Sequence, residues 1–144
     1  MKTLLPIAII ISLLSSNWLS AHCQVPCGVY GDSARFAQML EDQTTIAKAI
    51  AQINDLAAKN DAQSANQLSR WVSTKEDHAN KIQKIIAEYF LTQRIKSSSE
   101  KYEDLLKGAH SVMVGAMKCK QGTDSKSADA LKSLIENFQT VYEK

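Results

Sequence analysis

Nine consecutive residues near the start of the chain combine the donor groups that a metal centre needs. The segment from His22 to Tyr30 reads His-Cys-Gln-Val-Pro-Cys-Gly-Val-Tyr, with one imidazole and two thiols. Pro26 restricts the backbone just before the second thiol, and Gly28 permits unusual backbone angles just after it. What this segment can bind depends on whether His22 is the first residue of the mature chain.

The residues ahead of His22 have the pattern of a secretory leader. A positive start at Met1-Lys2 precedes an apolar run from Leu4 to Leu14, and a polar stretch then ends in small residues at Ala21. The apolar run is far shorter than the ~20 residues that span a bilayer. The pattern predicts a leader at residues 1–21, cleaved after Ala21, and an exported protein, periplasmic or secreted rather than cytoplasmic. An uncleaved membrane anchor is the alternative.

Cleavage after Ala21 would give His22 a free α-amine, which is a ligand once it is deprotonated. The amine and the amide nitrogen of Cys23 can close a five-membered chelate ring, and the Cys23 thiolate closes a second ring with the same amide. Cys27 can turn back to supply a fourth donor, and the His22 imidazole can reach an axial position. His22, Cys23 and Cys27 are therefore the predicted metal ligands.

A planar set of two nitrogens and two sulfurs indicates which metal is bound. Square-planar coordination is typical of Ni(II) or Cu(II), whereas Zn(II) prefers a tetrahedron. Thiolates and a deprotonated amide are strong electron donors that bring a Ni(III)/Ni(II) couple into a biological range, and an axial imidazole stabilises the higher oxidation state. Such a site suits a catalyst that gains and loses one electron better than it suits a structural metal.

The rest of the chain predicts helices that could carry this segment. Proline is absent after Pro26, and apolar residues recur every three or four positions. Four helices are predicted: about 33–59 with Asp32 or Ser33 as N-cap, about 62–96, one that follows the serines at 97–99, and one that begins after Asp124 and ends near Tyr142. The predicted seam of the first helix is Phe36, Met39, Gln43, Ile46, Ile50, Ile53 and Ala57. That of the second is Leu68, Trp71, Lys75, His78, Ile82, Ile85 and Tyr89.

Four amphipathic helices with short connections predict an all-α fold, an antiparallel up-down four-helix bundle with an N-terminal metal-binding hook. The hook is residues 22–30 and the bundle is about residues 33–143, so residues 22–144 form one domain. The 144 residues carry a formal charge of only +2, which gives no footprint for nucleic acid or an anionic membrane. Three cysteines leave at least one thiol unpaired, and Cys119 fits a small buried hydrophobe.

The hook and the bundle together resemble the nickel superoxide dismutase family. The resemblance rests on His22, Cys23, Pro26, Cys27, Gly28 and Tyr30. It implies conversion of superoxide to O₂ and H₂O₂ by Ni(III)/Ni(II) cycling, in a homohexamer. It also implies that Tyr30 narrows access to the metal and holds water or superoxide by its hydroxyl.

This sequence departs from the family pattern around the axial imidazole. In the best-known members a Glu on the first helix and an Arg on the second hold that ring. Here Gln38 and His78 stand in those regions. The hypothesis is that Gln38 or His78 orients His22. His110 is predicted to be a surface or subunit-contact residue.

Two other interpretations of the hook remain open from the residues. An exported helical protein could bind nickel or copper without turnover. Alternatively, Cys23 and Cys27 could form a short disulfide in a secreted structural protein. The enzyme needs a processing protease, signal peptidase or another, to expose His22.

Overall fold

The computed structural model describes residues 31–144, which form four helices and no strands. Helix α1 spans Ser33–Leu56 and α2 spans Ala62–Lys84. A π-helical segment at Ile85–Arg94 continues α2 without a break. Helix α3 spans Tyr102–Gln121 and α4 spans Ser125–Glu143. Among these residues, no helix has the length and apolar character needed to cross a membrane.

The helices pack in a closed ring in which neighbours run antiparallel. Contacts join α1 to α2 and α4, and α3 to α2 and α4. The end of α1 meets the start of α4, where Asn54 Nδ2 donates to the carbonyl of Thr123 at 3.0 Å. At the opposite end of the bundle, Asp32 just ahead of α1 meets Tyr142 near the end of α4. The prediction of an all-helical bundle is confirmed for the described part of the chain.

The predicted helix ends need three corrections. Helix α1 stops at Leu56, so Ala57 is exposed and the seam ends at Ile53. The second helical run ends at Arg94, and its last ten residues are π-helical rather than α-helical. None of the serines at 97–99 caps α3, because that helix begins at Tyr102 with Lys101 as N-cap. The start of the last helix after Asp124 is confirmed, and Gly122 lies at the C-cap of α3.

Lys75 shows why a charged residue occupies a seam position of α2. Its side chain is almost fully buried, and Nζ donates to the carbonyls of Cys119, Lys120 and Gly122 at 2.8, 2.6 and 3.2 Å. These carbonyls lie at the C-terminal end of α3, where the helix leaves acceptors without internal partners and favours positive charge. The ammonium group therefore joins α2 to the end of α3.

An aromatic cluster fills the core at the end of the bundle where α1 begins. Phe36 lies 4.8 Å from Phe90 and 5.4 Å from Phe138, measured between ring centroids. Phe90 lies 5.1 Å from Phe138, and Tyr142 packs against all three. Rings at these separations stabilise the fold beyond the area that they bury. This end of the bundle, which joins α1, α4 and the π-helical segment that continues α2, is where the described chain begins.

Gly108 lets α3 approach this cluster closely. A Cβ at this position would lie 2.9 Å from Cδ2 of Phe138, whose ring is fully buried and cannot move aside. We expect Gly108→Ala to reduce the free energy of unfolding by about 1–3 kcal/mol, because the overpacking outweighs the better helix propensity of alanine. Denaturant titration of the two proteins measures the difference.

Lys107→Ala is the matched control, since Lys107 is the exposed neighbour on the same helix. We expect it to change stability by less than about 0.5 kcal/mol. A Gly108→Ala protein as stable as the control would show that Phe138 does not limit this contact.

Candidate functional site

The predicted ligands His22, Cys23 and Cys27, together with Tyr30, lie outside the described residues. The described chain begins at Gly31, whose φ of 77° is a left-handed conformation that favours glycine. Within residues 31–144 no group of three or more His, Cys, Asp or Glu side chains is close enough to hold a metal. The geometry that bears on the site is therefore that of the surface around the start of α1.

Asp32 forms the densest polar contact at this surface. Tyr89 donates its hydroxyl to Oδ1 at 2.5 Å, and Tyr142 donates its hydroxyl to Oδ2 at 2.6 Å. Arg94 donates to Oδ2 from both Nη2, at 2.6 Å, and Nε, at 3.2 Å. One carboxylate thus binds groups from the π-helical segment and from α4. We call Asp32, Tyr89, Arg94 and Tyr142 the Asp32 clasp.

The π-helical segment explains how two of these groups reach one carboxylate. Tyr89 and Arg94 are five residues apart, and in an α-helix such residues point about 140° away from each other around the axis. In a π-helix the bonds run between residues five apart, which brings them to the same face. The Thr92 hydroxyl donates to the Ala87 carbonyl at 2.7 Å, and the Ile95 amide donates to the Phe90 carbonyl at 2.8 Å, both with this spacing.

The clasp shifts the pKa values of its members. Partial burial alone would raise the pKa of Asp32, but the hydrogen bonds from Arg94, Tyr142 and Tyr89 outweigh it and leave that pKa below its usual value. Burial and the hydrogen bond to Asp32 raise the pKa of Tyr142 to about 12. The same two causes raise the pKa of Tyr89. Asp32 is thus ionised and both phenols are neutral at physiological pH.

Gln38 lies on the exposed side of α1, six residues after Asp32. Its Oε1 accepts a hydrogen bond from Nη1 of Arg35 at 3.0 Å. The Arg35 guanidinium also lies over the ring of Tyr89, 5.0 Å from its centroid. Gln38 is therefore linked through Arg35 to the clasp, and its side chain is at an exposed position.

His78 forms the second polar contact between α1 and α2. Its Nδ1 lies 2.6 Å from Oδ1 of Asp42, and its Nε2 lies 3.5 Å from Nζ of Lys81. The side chain of His78 is 23% exposed and that of Asp42 is 7% exposed. An ionised carboxylate can only accept a hydrogen bond, so Nδ1–H of His78 donates to Asp42, and in the neutral ring Nε2 is then the acceptor nitrogen.

Asp42 is the residue of this surface that the sequence pattern did not identify. Its Oδ2 is buried without a hydrogen-bond partner. Burial raises the pKa of Asp42 more than the hydrogen bond and the charge of His78 lower it. Asp42 adjoins the seam residue Gln43, and this position beside a polar seam residue was the only signal in the sequence. Gln38 and Asp42 are four residues apart, so they are neighbours on one face of α1.

The other candidate residues lie away from the start of α1. Cys119 is fully buried in α3, as predicted, and burial raises the pKa of its thiol. His110 is exposed and lines a groove between α3 and α4. Trp71 is partly exposed, with Nζ of Lys48 5.8 Å from its ring centroid. None of these three residues contacts the Asp32 clasp or the Asp42–His78 pair.

The low pKa of Asp32 predicts how Asp32→Asn changes stability with pH. A carboxyl group whose pKa is lowered by folding stabilises the protein above its unfolded pKa of about 4, and this contribution is lost as the pH falls through the folded pKa. We expect Asp32→Asn to cost about 2 kcal/mol of unfolding free energy at pH 7, the range for hydrogen bonds to a charged group. The cost should shrink towards zero below pH 4.

Denaturant titrations of the wild type and the variant at pH 7, 5 and 3 measure this dependence. The comparison between the two proteins cancels the opposite effect of Asp42, whose raised pKa makes its ionised form costly near neutral pH. A difference in stability that stays constant over this range would contradict the clasp as an ionic contact.

Comparison with protein families gives one match. The family described as nickel-containing superoxide dismutase matches residues 17–144, which include the whole hook and all four helices. Neither the curated proteins nor the solved structures give a significant match.

Proposed function

The chain belongs to the nickel-containing superoxide dismutase family, which matches most of its length, and we propose that it binds nickel through His22, Cys23 and Cys27. The protein is accordingly an oxidoreductase that uses nickel to convert superoxide to O₂ and H₂O₂. Because this family consists of enzymes, the match does not favour a helical protein that binds metal without turnover. The observation that carries the proposal is the match itself, which includes the hook.

The donor set of the hook fits nickel. Two thiolates, an amine, an amide nitrogen and an imidazole are the nitrogen and sulfur ligands that suit Ni(II), and oxygen ligands of the kind that Mg²⁺ or Ca²⁺ prefer are absent from this set. Nickel, when bound, supplies the one-electron chemistry by cycling between Ni(III) and Ni(II). The chain's own part is to present these donors unprotonated, since thiols and the amine bind metal only after they lose a proton.

The free amine of His22 requires cleavage after Ala21. The leader pattern supports this step, with signal peptidase or another protease as the processing enzyme, and it supports export to the periplasm or the medium. The mature domain would be residues 22–144, with the hook at 22–30. As in the family that it resembles, we expect a homohexamer, in which Tyr30 narrows the approach to the metal and holds water or superoxide by its hydroxyl.

Asp42 and His78 support a role for His78 in orienting the imidazole of His22. Asp42 fixes the ring of His78 through Nδ1, and Nε2, which lies 3.5 Å from Nζ of Lys81, is the nitrogen with which His78 would accept a hydrogen bond from another imidazole. The nine residues from His22 to Tyr30 can span up to about 30 Å when extended, whereas Asp42 lies about 15 Å along α1 from Asp32. The hook is therefore long enough to reach this pair, and Gln38 lies between them on α1.

Adding one residue before His22 tests the proposed ligand set. The extra residue converts the amine into an amide, so we expect loss of nickel binding and of superoxide dismutation in protein that is otherwise mature. Nickel content by mass spectrometry and superoxide decay by stopped-flow absorbance measure the two effects.

The matched control carries the same extra residue after Lys144 and should behave like the protein that starts at His22. If the protein extended before His22 keeps its nickel and its activity, the amine is not a ligand. Properly trimmed protein that holds nickel and leaves superoxide decay at its spontaneous rate would contradict the assignment of activity.

His78→Ala tests the orienting role of His78. We expect nickel affinity or turnover to fall by about 10–100-fold, the usual effect of removing a group that holds a metal ligand. Asp42→Asn should cause a smaller loss, because the ring remains but its orientation is less fixed. Gln38→Ala tests the alternative in the same assays.

His110→Ala is the control, because His110 is an exposed histidine in the groove between α3 and α4. It should leave both properties unchanged. Equal activity of the His78→Ala and wild-type proteins would rule out the role of His78.

A further inference from the structure

The Asp32 clasp has a use beyond holding helices together. We propose that Asp32 is a positioning residue for the nickel hook, which fixes the point and direction from which the hook leaves the bundle. This inference rests on the proposed ligands His22, Cys23 and Cys27. It concerns how the bundle holds the hook, a separate question from which atoms bind the metal.

The position of Asp32 in the chain is the first argument. Asp32 follows Tyr30 by two residues and Cys27 by five. Gly31 between Tyr30 and Asp32 has a left-handed φ of 77°, which turns the chain at this point. A single residue, Gly31, therefore separates Asp32 from the proposed hook.

The second argument is that the side chain of Asp32 does not accept a hydrogen bond from the first turn of its helix, as an N-cap aspartate usually does. Asp61 and Asp124 both cap their helices, accepting from the amides of Ser64 at 2.8 Å and Lys126 at 3.0 Å. Asp32 occupies the same position ahead of α1 but makes no side-chain cap hydrogen bond. Both of its oxygens bind Tyr89, Arg94 and Tyr142 instead. Local helix stabilisation is replaced by contacts to two other parts of the bundle.

The third argument is that the π-helical segment brings Tyr89 and Arg94 to the same carboxylate. Regular α-helical geometry at Ile85–Arg94 would turn Tyr89 and Arg94 away from each other. The wider helix places both on Asp32, and π-helical segments within α-helices are often found at functional sites. No other helix of residues 31–144 has such a segment.

The rigidity of the surroundings makes the clasp suitable for positioning. Tyr142 packs on Phe36 and Phe90 in the aromatic cluster, and Tyr89 packs edge-on against Phe90 at 5.3 Å. The Arg35 and Arg94 guanidinium groups lie over the Tyr89 ring, 5.0 and 5.9 Å from its centroid. The partners of Asp32 are thus held by a packed core. Metal ligands need supporting contacts that hold them to within about 0.5 Å.

Nickel affinity in the Asp32→Asn protein tests the inference. Mature wild type and variant would be loaded with nickel and titrated with a competing chelator, and the thiolate-to-nickel absorption bands would be recorded. We expect affinity to fall about tenfold with the variant, as for other groups that support metal ligands, and the bands to broaden. Arg94→Lys and Tyr142→Phe should each cause a smaller loss, because each removes only part of the clasp.

Three control variants show whether nickel affinity falls because the hook is no longer positioned or because the protein is less stable. Ile53→Val and Ile53→Ala remove buried carbon at the far end of α1, so their melting temperatures without metal should bracket that of Asp32→Asn. Asp55→Asn removes an exposed aspartate that pairs with Lys59 at 2.9 Å. All three should keep wild-type nickel affinity and spectrum.

The outcomes distinguish this inference from the proposed function. If wild type binds nickel and Asp32→Asn binds it equally well, the positioning role is wrong and the ligand set stands. The same conclusion holds if the Ile53 variants lose nickel affinity in proportion to the decrease in their melting temperatures. The effect of Asp32→Asn would then come from lower stability alone. A wild type that binds no nickel through its amine and thiols would overturn the ligand set itself.

Discussion

The contact of Asp32 with Tyr89, Arg94 and Tyr142 joins the start of the described chain to two other parts of the bundle. A nine-residue hook is too short to bury a core of its own, so its position must come from the bundle. The bundle and the hook are joined at a single point in the chain. At that point the side chain of the first residue before α1 is bound by three donors from two other elements.

The aromatic cluster beneath the clasp explains why these donors are fixed. Phe36, Phe90, Phe138 and Tyr142 come from α1, the π-helical segment and α4, and they pack at centroid distances of 4.8 to 6.1 Å. The hydroxyl of Tyr142 extends from this cluster to Asp32. The apolar core thus fixes the positions of the donors that bind the ionised carboxylate of Asp32. Its charge-assisted hydrogen bonds therefore form in a geometry that the packing of the core sets.

Two buried charged side chains of the bundle, Lys75 and Asp42, differ in how their polar atoms are paired. Buried Lys75, in the middle of α2, binds carbonyls at the C-terminus of α3, which is a purely structural contact. Along the α1–α2 interface, Asp42 keeps one buried oxygen without a partner. Burying such an atom costs free energy, so Asp42 is a poor choice for stability alone. Its position next to His78 fits the proposed role of this pair in holding an imidazole.

The bundle could be predicted from the sequence because apolar spacing alone determines it. Phe36, Met39, Ile46 and Ile50 are buried as their spacing predicts. The clasp could not be predicted in this way. Asp32 has the residue type and position of an ordinary N-cap, and only the tertiary structure shows that its side chain is used elsewhere. The π-helical segment was missed for a similar reason, since its apolar residues also fit a regular α-helix over this length.

The chemistry of the hook is predictable for a different reason, since it depends on covalent structure more than on folding. In the proposed ligand set, the His22 amine, the Cys23 amide and the Cys23 thiolate would close two chelate rings whose size is fixed by bond lengths. The fold contributes the direction in which this set is presented. The sequence therefore indicates which atoms could bind the metal, whereas the residues proposed to orient them, such as Asp32 and Asp42, are recognised only when their neighbours in space are known.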